Sequence, residues 1–191
     1  MASIIDNLRA EHGKLEHLIR LFDGQLTAVS RASPTKTALL VDALYYLTRF
    51  PDVNHHVLEN RIVEKLLDRR ALPAGLGSEI EAQHATLIRE AHELLQALES
   101  MIREENMSGE WIDLHLRLYS ERLRHNMAME EVMLFPMALA HLGPEDWDAI
   151  ARTGPVPAAD PLFHTPVHER FTQLHQIIAR EADCGCEDRD R

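Results

Sequence analysis

Apolar residues recur in steps of three and four along most of this chain, the periodicity of one face of an α-helix, and four such stripes fill its first three quarters. The first reads Ile5, Leu8, His12, Leu15, Ile19, Phe22, Leu26, and Ser3-x-x-Asp6 matches a capping box at its start. Ser33-Pro34 offers an N-cap followed by proline at the first helical position. This predicts a second helical segment to about Arg70 that Pro51 kinks or interrupts. Its inward face reads Val41, Leu44, Thr48, His55, Glu59, Ile62, Leu66. Residues 72–77 hold a proline and two glycines and predict a loop, closed by a second capping-box pattern, Ser78-x-x-Glu81. The third stripe is Ile80, His84, Leu87, Ala91, Leu94, Leu98, Met101. Ser108 and Gly109 open a fourth helix, read inward as Trp111, Leu118, His125, Glu130 and Met133 before Pro136.

Gly143-Pro144 ends that helix or forces a turn. A short segment with Trp147, a proline-rich stretch over 153–161 and Thr165-Pro166 then precede a last amphipathic helix with the face Val167, Phe171, Leu174, Ile178. Long helices joined by short loops predict an all-α fold, an up-down antiparallel four-helix bundle with an additional C-terminal helix. The expected divisions are residues 1–143 for the bundle, 144–183 for an extension packed on the bundle or in a homodimer contact, and 184–191 for a flexible tail.

Every inward stripe has a polar interruption. His55 and Glu59 are four residues apart, a step of about 400° on a helix, so they emerge on one side and offer a metal one nitrogen and one oxygen. His125 and Glu130 are five apart, about 140° from alignment, and need a π-bulge or a long glutamate reach. One histidine on an apolar face is ordinarily a hydrogen-bonded core residue. Here His12, His55, His84 and His125 stand on four different helices, so their nitrogens are expected to converge on one axis. An unpaired carboxylate in such a core costs on the order of several kcal/mol. No Lys or Arg lies on the inward stripe beside Glu59, so a cation or a proton must compensate. Imidazole with carboxylate suits iron, manganese or zinc.

Composition narrows the function classes. Lys and Arg number 20 against 31 Asp and Glu, a net charge of -11 that repels phosphate backbones and anionic lipid, so neither nucleic acid nor a membrane is an expected partner. No targeting segment or run of about 18 apolar residues is present, and a cytoplasmic location is expected. The two cysteines, Cys184 and Cys186, lie in the charged tail and supply no disulfide framework. Of the remaining histidines, His164, His168 and His175 have no carboxylate on the same stripe and read as solvated or packing residues. Met127, Met129, Met133 and Met137 read as core filler.

These residues resemble the hemerythrin-like (HHE cation-binding) proteins over about residues 4 to 142. The resemblance is carried by Glu11-His12, His55-His56-x-x-Glu59, Gln83-His84, and His125 with Glu130-Glu131 and Phe135-Pro136. It implies a non-haem di-iron centre, two iron ions (Fe2+/Fe3+) with an oxo or hydroxo bridge. His12 and His55 would bind one iron, His84 and His125 the other, and Glu59 and Glu130 would bridge them. It also implies one open position for O2, NO or peroxide. Two departures bear on function. Oxygen carriers have a second histidine one turn after the first on the third helix, where this chain has Ile88, with Glu81, His56 or water as substitutes; reversible oxygen carriage is therefore not expected. Many bacterial relatives space the fourth-helix pair by four residues, a step that starts here at Asn126. His56 and Glu131 are supporting or substitute ligands beside the main set.

The favoured reading is a metal protein that binds or senses O2 or NO, or handles iron, without catalysing a committed reaction: no nucleophile arrangement and no phosphate-binding glycine loop is present for hydrolase or transferase chemistry. One alternative is a di-iron oxidase or peroxidase at the same site, suggested by the ferritin-type spacing Glu81-x-x-His84, although His12 stands where such a site needs an inward glutamate. The other is a metal-free helical interaction protein that dimerises through its last helix.

Overall fold

A computed structural model describes residues 4–25, 34–103, 108–154 and 159–187. The described residues are mostly helical, with no strand among them. Helix α1 spans Ile4–Gln25, α2 Pro34–Leu47, α3 His56–Asp68, α4 Leu76–Ile102, α5 Gly109–Met129, α6 Phe135–His141, α7 Pro144–Thr153 and α8 Thr172–Glu187. None is long and apolar enough to cross a membrane. The caps expected at Ser3 and Ser33 lie outside the described residues.

Two π-helical turns join helices into longer arms, Pro51–His55 between α2 and α3 and Glu130–Leu134 between α5 and α6. Each has a proline at or just beyond it. Proline lacks the N–H that an α-helix needs, and its ring collides with the carbonyl four residues back. A wider turn relieves both problems: His56 N–H reaches Pro51 O, and Phe135 N–H reaches Glu130 O. The interruption expected at Pro51 thus takes a defined form, and a second one precedes Pro136.

The predicted cap at Ser78 is displaced. Helix α4 begins at Leu76, after Gly75 in the left-handed region at φ +88°, where glycine is favoured; the Ser78 hydroxyl donates to Gly75 O at 2.9 Å. Gly77 lets the start of α4 approach α3 closely, since a Cβ there would lie 3.0 Å from Val63 Cγ1. Ser108 does cap α5, accepting from Trp111 N–H at 3.3 Å.

Arm α1 packs on α2 and α5, α2 and α3 pack on α4, α4 packs on α5, and α3 packs on α6. The apolar interior of these arms is divided. A larger cluster includes Leu15, Phe22, Leu44, Leu87, Leu116 and Leu123. A smaller one includes Ile5, Leu8, Ile62, Ile80, Leu134 and Phe135. Every arm crosses from one cluster to the other, and at each crossing the buried side chains are polar. They are His12 on α1, His55, His56 and Glu59 on the second arm, His84 on α4, and Asn126 and Glu130 on the last.

The C-terminal segment packs on this body. Ile150 of α7 joins the smaller cluster, and Leu162, Phe171, Leu174 and Ile178 join the larger one, with α8 against α1 and α2. The apolar face of α8 is therefore buried within the chain. Its helix continues through Cys184 and Cys186 to Glu187, beyond the expected tail boundary.

The face assigned to the fourth helix needs correction. Trp111, Leu118 and Met133 are 36%, 42% and 38% exposed, and the buried series is Ile112, Leu116, Tyr119, Leu123, Asn126, Glu130. Both series contain bulky apolar residues, but only the second alternates four- and three-residue steps without a gap down to Glu130. Truncating Leu116 to alanine is therefore expected to cost about 2–5 kcal/mol in urea denaturation, and truncating Leu118 to stay within about 0.5 kcal/mol. Equal losses would contradict the assigned face.

Candidate metal centre

The polar layer brings three imidazoles and two carboxylates together. Glu59 and Glu130 are both 0% exposed. Glu59 Oε1 lies 3.1 Å from His55 Nε2 and 3.5 Å from His12 Nε2, and its Oε2 lies 3.4 Å from His84 Nε2. Glu130 Oε2 is 3.3 Å from His12 Nε2, and Oε1 is 2.9 Å from His84 Nε2. His12 Nε2 and His55 Nε2 approach to 3.1 Å.

All three rings present the same nitrogen inward because the other is engaged outside. His55 Nδ1–H donates to Glu11 Oε2 at 2.8 Å, His12 Nδ1–H to Glu131 Oε1 at 3.0 Å, and His84 Nδ1–H to Asn60 Oδ1 at 2.9 Å. An ionised carboxylate only accepts, so it fixes the proton on Nδ1 of its partner and leaves the Nε2 lone pair of the neutral ring facing the cluster. Outer partners of this kind set the tautomer and orientation of metal-binding histidines. Glu131 is itself held by Arg9 Nε at 3.0 Å.

Two groups of potential ligand atoms result, each with its atoms within 4.8 Å of one another. One comprises His12, His55, Glu59 and Glu130, the other His56, Glu59 and His84, and Glu59 belongs to both. The donor set fits a bound metal cation. Both oxygens of Glu59 and Oε2 of Glu130 are buried and aimed at imidazole nitrogens 3.1–3.5 Å away. Two nitrogens 3.1 Å apart can also lie at about 2.1 Å from a single ion, a common metal–imidazole distance.

Without a cation, protons balance the charge. Burial alone would lower the His12 pKa, but hydrogen bonds to Glu130 and Glu59 outweigh it and raise the pKa to about 9. Burial also opposes the charged form of His55, yet the Glu59 charge and the bond to Glu11 raise its pKa to about 10. Burial would raise the Glu59 pKa, but the charge of His55 and the hydrogen bond from His12 hold it well below the ordinary carboxylate range.

The sequence-derived ligands thus divide. His12, His55, Glu59, His84 and Glu130 meet in the polar layer. His125 and Glu81 do not: both are exposed and outside the two groups. His125 belongs to the outward series of α5, and the four-residue step back from Glu130 ends on Asn126, which is buried and donates from Nδ2 to Glu130 Oε1 at 2.8 Å. The π turn that such spacing called for begins at Glu130 and widens the helix beyond it, so it does not realign His125.

His56, a supporting or substitute ligand by sequence, is buried, stacks on His84 with ring centroids 4.3 Å apart, and falls in the second group. Ile88, the position that lacks a histidine, is half-buried. Glu11 and Asn60 escaped sequence reading because nothing marks an outer partner before its histidine has been placed. The pairing of Glu11 with His12 in sequence was visible, but Glu11 supports His55 on another arm.

The described cluster is enclosed by the span that matches a known family: the model for the hemerythrin HHE cation binding domain covers residues 3–138, well over half of the chain. No curated protein and no solved structure matches the chain. The matched span includes every residue of both ligand groups and ends before α7 and α8. The chain belongs to the hemerythrin HHE cation-binding family.

Proposed function

We propose that the chain is a dinuclear metal-binding protein, with iron as the resident metal, and that it binds or senses a small ligand such as O2 or NO, or handles iron. The observation that carries this reading is the sharing of Glu59 by two groups of buried ligand atoms. In this reading the arms form an up-and-down four-helix bundle, and the protein works in the cytoplasm. His12, His55, Glu59 and Glu130 would hold one ion, and His84, His56 and Glu59 the other, with Glu130 adjacent to both sets through its two oxygens. The bound pair would supply Lewis acidity and redox capacity at a position that small ligands can reach.

The protein's own contribution is positional and electrostatic. Glu11, Glu131 and Asn60 lock the three imidazoles so that no reorientation accompanies binding. The apolar clusters on both sides exclude water and strengthen every charge interaction between them. Asn126 keeps Glu130 Oε1 engaged from the inward position of α5. His56 replaces in part the histidine missing at Ile88, which makes the two ion sites chemically unequal and is a poor match to a reversible oxygen carrier.

Elemental analysis of protein purified without chelator is expected to find both metals, with iron dominant. The double variant His55→Ala, Glu59→Ala should lose at least one of them while keeping its helicity, whereas His125→Ala should keep both. Retention of both metals by the double variant, or their loss from His125→Ala, would overturn the assignment. An oxidase or peroxidase using the same residues would show itself by turnover with peroxide or ferrous iron, where stoichiometric binding is expected.

The pH dependence of the metal-free protein has a definite sign. His12 and His55 have folded-state pKa values of about 9 and about 10 against 6.5 unfolded. Their stabilisation is complete below 6.5 and disappears as pH rises through 9 to 10. Glu59 acts in the opposite sense at acid pH, its contribution being lost as pH falls below its ordinary value of 4.5. The Tm of chelator-treated protein should therefore fall between about pH 6.5 and 10. Metal affinity should rise over the same interval, because binding displaces those protons. A Tm that climbs through this range would be incompatible with the charge pattern described.

A further inference from the structure

A cavity of about 480 Å³ lies between α1 and the π turn of the second arm, and it reaches the edge of the metal centre. Leu8, Leu15, Phe50, Pro51 and Leu58 give it apolar walls, and His55 and Glu11 form part of its lining. Asp160 and His164 also line it. These two residues lie outside the span matched by the family model, so the C-terminal extension builds one side of the cavity.

The volume is within the roughly 300–1,000 Å³ range of sites for small organic molecules and far exceeds what a diatomic ligand requires. The chemistry of the lining restricts the occupant. Tyr46 and Phe50 stack with centroids 5.4 Å apart, and both line the cavity, which favours a flat aromatic body. Asp160 is fully committed: Oδ2 accepts from Lys14 Nζ at 2.9 Å and Tyr46 OH at 3.1 Å, and Oδ1 accepts the Leu162 and Phe163 N–H groups. Lys14 is thereby neutralised. Among the described residues Glu11 engages Oε2 alone, with His55, and keeps acceptor capacity on its other oxygen. Asp160 already matches Lys14 and Glu11 already matches His55, so the lining holds no spare positive charge for an anion.

We propose that this cavity binds an uncharged or singly cationic aromatic molecule bearing a hydroxyl or amino donor, which Glu11 accepts. Glu11 is also the Nδ1 partner of His55, so occupancy of the cavity alters the electrostatic support of one metal-facing imidazole. The proposal rests on the dinuclear reading only for this coupling. The cavity and its preference stand without it.

Three molecules of similar shape and different charge test it: benzyl alcohol, benzylamine and benzoate, titrated by calorimetry into the full chain, both as purified and after chelator treatment. Saturable binding of the alcohol and the amine is expected, with benzoate at least about tenfold weaker. Glu11→Gln should weaken binding of the amine more than binding of the alcohol. Ala10→Trp, at an exposed position on α1 that lines the cavity, should abolish binding of both while metal content stays at the wild-type level. Absence of saturable binding, equal affinity for benzoate, or unchanged binding by Ala10→Trp would overturn the proposal. Each of these results can occur with metal content intact, and a metal-free protein can still bind the amine, so failure here is distinct from failure of the dinuclear reading.

Discussion

Two glutamates without solvent exposure, midway along a helical core, impose the constraint around which the rest of this structure is arranged. A buried carboxylate is tolerated only when opposite charge is brought to it, and here three imidazoles from three arms converge on Glu59 and Glu130. Their burial requires apolar layers on either side, which explains why the core consists of two clusters and not one. The polar layer contributes little to stability through the hydrophobic effect. The clusters must therefore hold the arms in register while the layer holds a charge distribution that bound metal, or a set of protons, completes.

Much of this was legible in the sequence because the hydrophobic pattern and the ligands share one periodicity. On α1 and α4 the histidine occupies a step within an otherwise apolar series, so the same reading that places the core places His12 and His84. On α5 that logic failed in an instructive way. Trp111, Leu118 and His125 form a seven-residue series that ends in a plausible ligand, and Ile112, Leu116, Tyr119, Leu123 and Asn126 form a competing series that ends in an amide. Only the second includes Glu130 at a regular step. Preferring the histidine over the geometry selected the exposed face.

His56 shows the complementary limit. Neighbouring residues on an α-helix point about 100° apart, so a pattern argument lets one of His55 and His56 face the axis and assigns the other to the flank. The structure buries both, at the boundary where a π turn ends and α3 begins. Because Glu59 stands between the two ligand groups, histidines diverging from one another can each meet a different oxygen of the same carboxylate. The sharing of Glu59 leaves no trace in hydrophobic periodicity, since it depends on where the other arms place their ligands.

The two sides of the layer also differ in their connection to the outside. Glu11 and Glu131, the partners of His55 and His12, are part-exposed carboxylates on the α1 and α6 side, and Glu131 is tied to the surface residue Arg9. His84 is held instead by the neutral Asn60, and His56 stacks beneath it within the core. An anionic partner increases the basicity of an imidazole more than an amide does, and partial solvent access lets that partner respond to ligands and ions. The group containing His12 and His55 is thus the better donor set and the one open to adjustment, while the group containing His56 and His84 is insulated. This chain has built one side toward the surface and the cavity, and the other into the core.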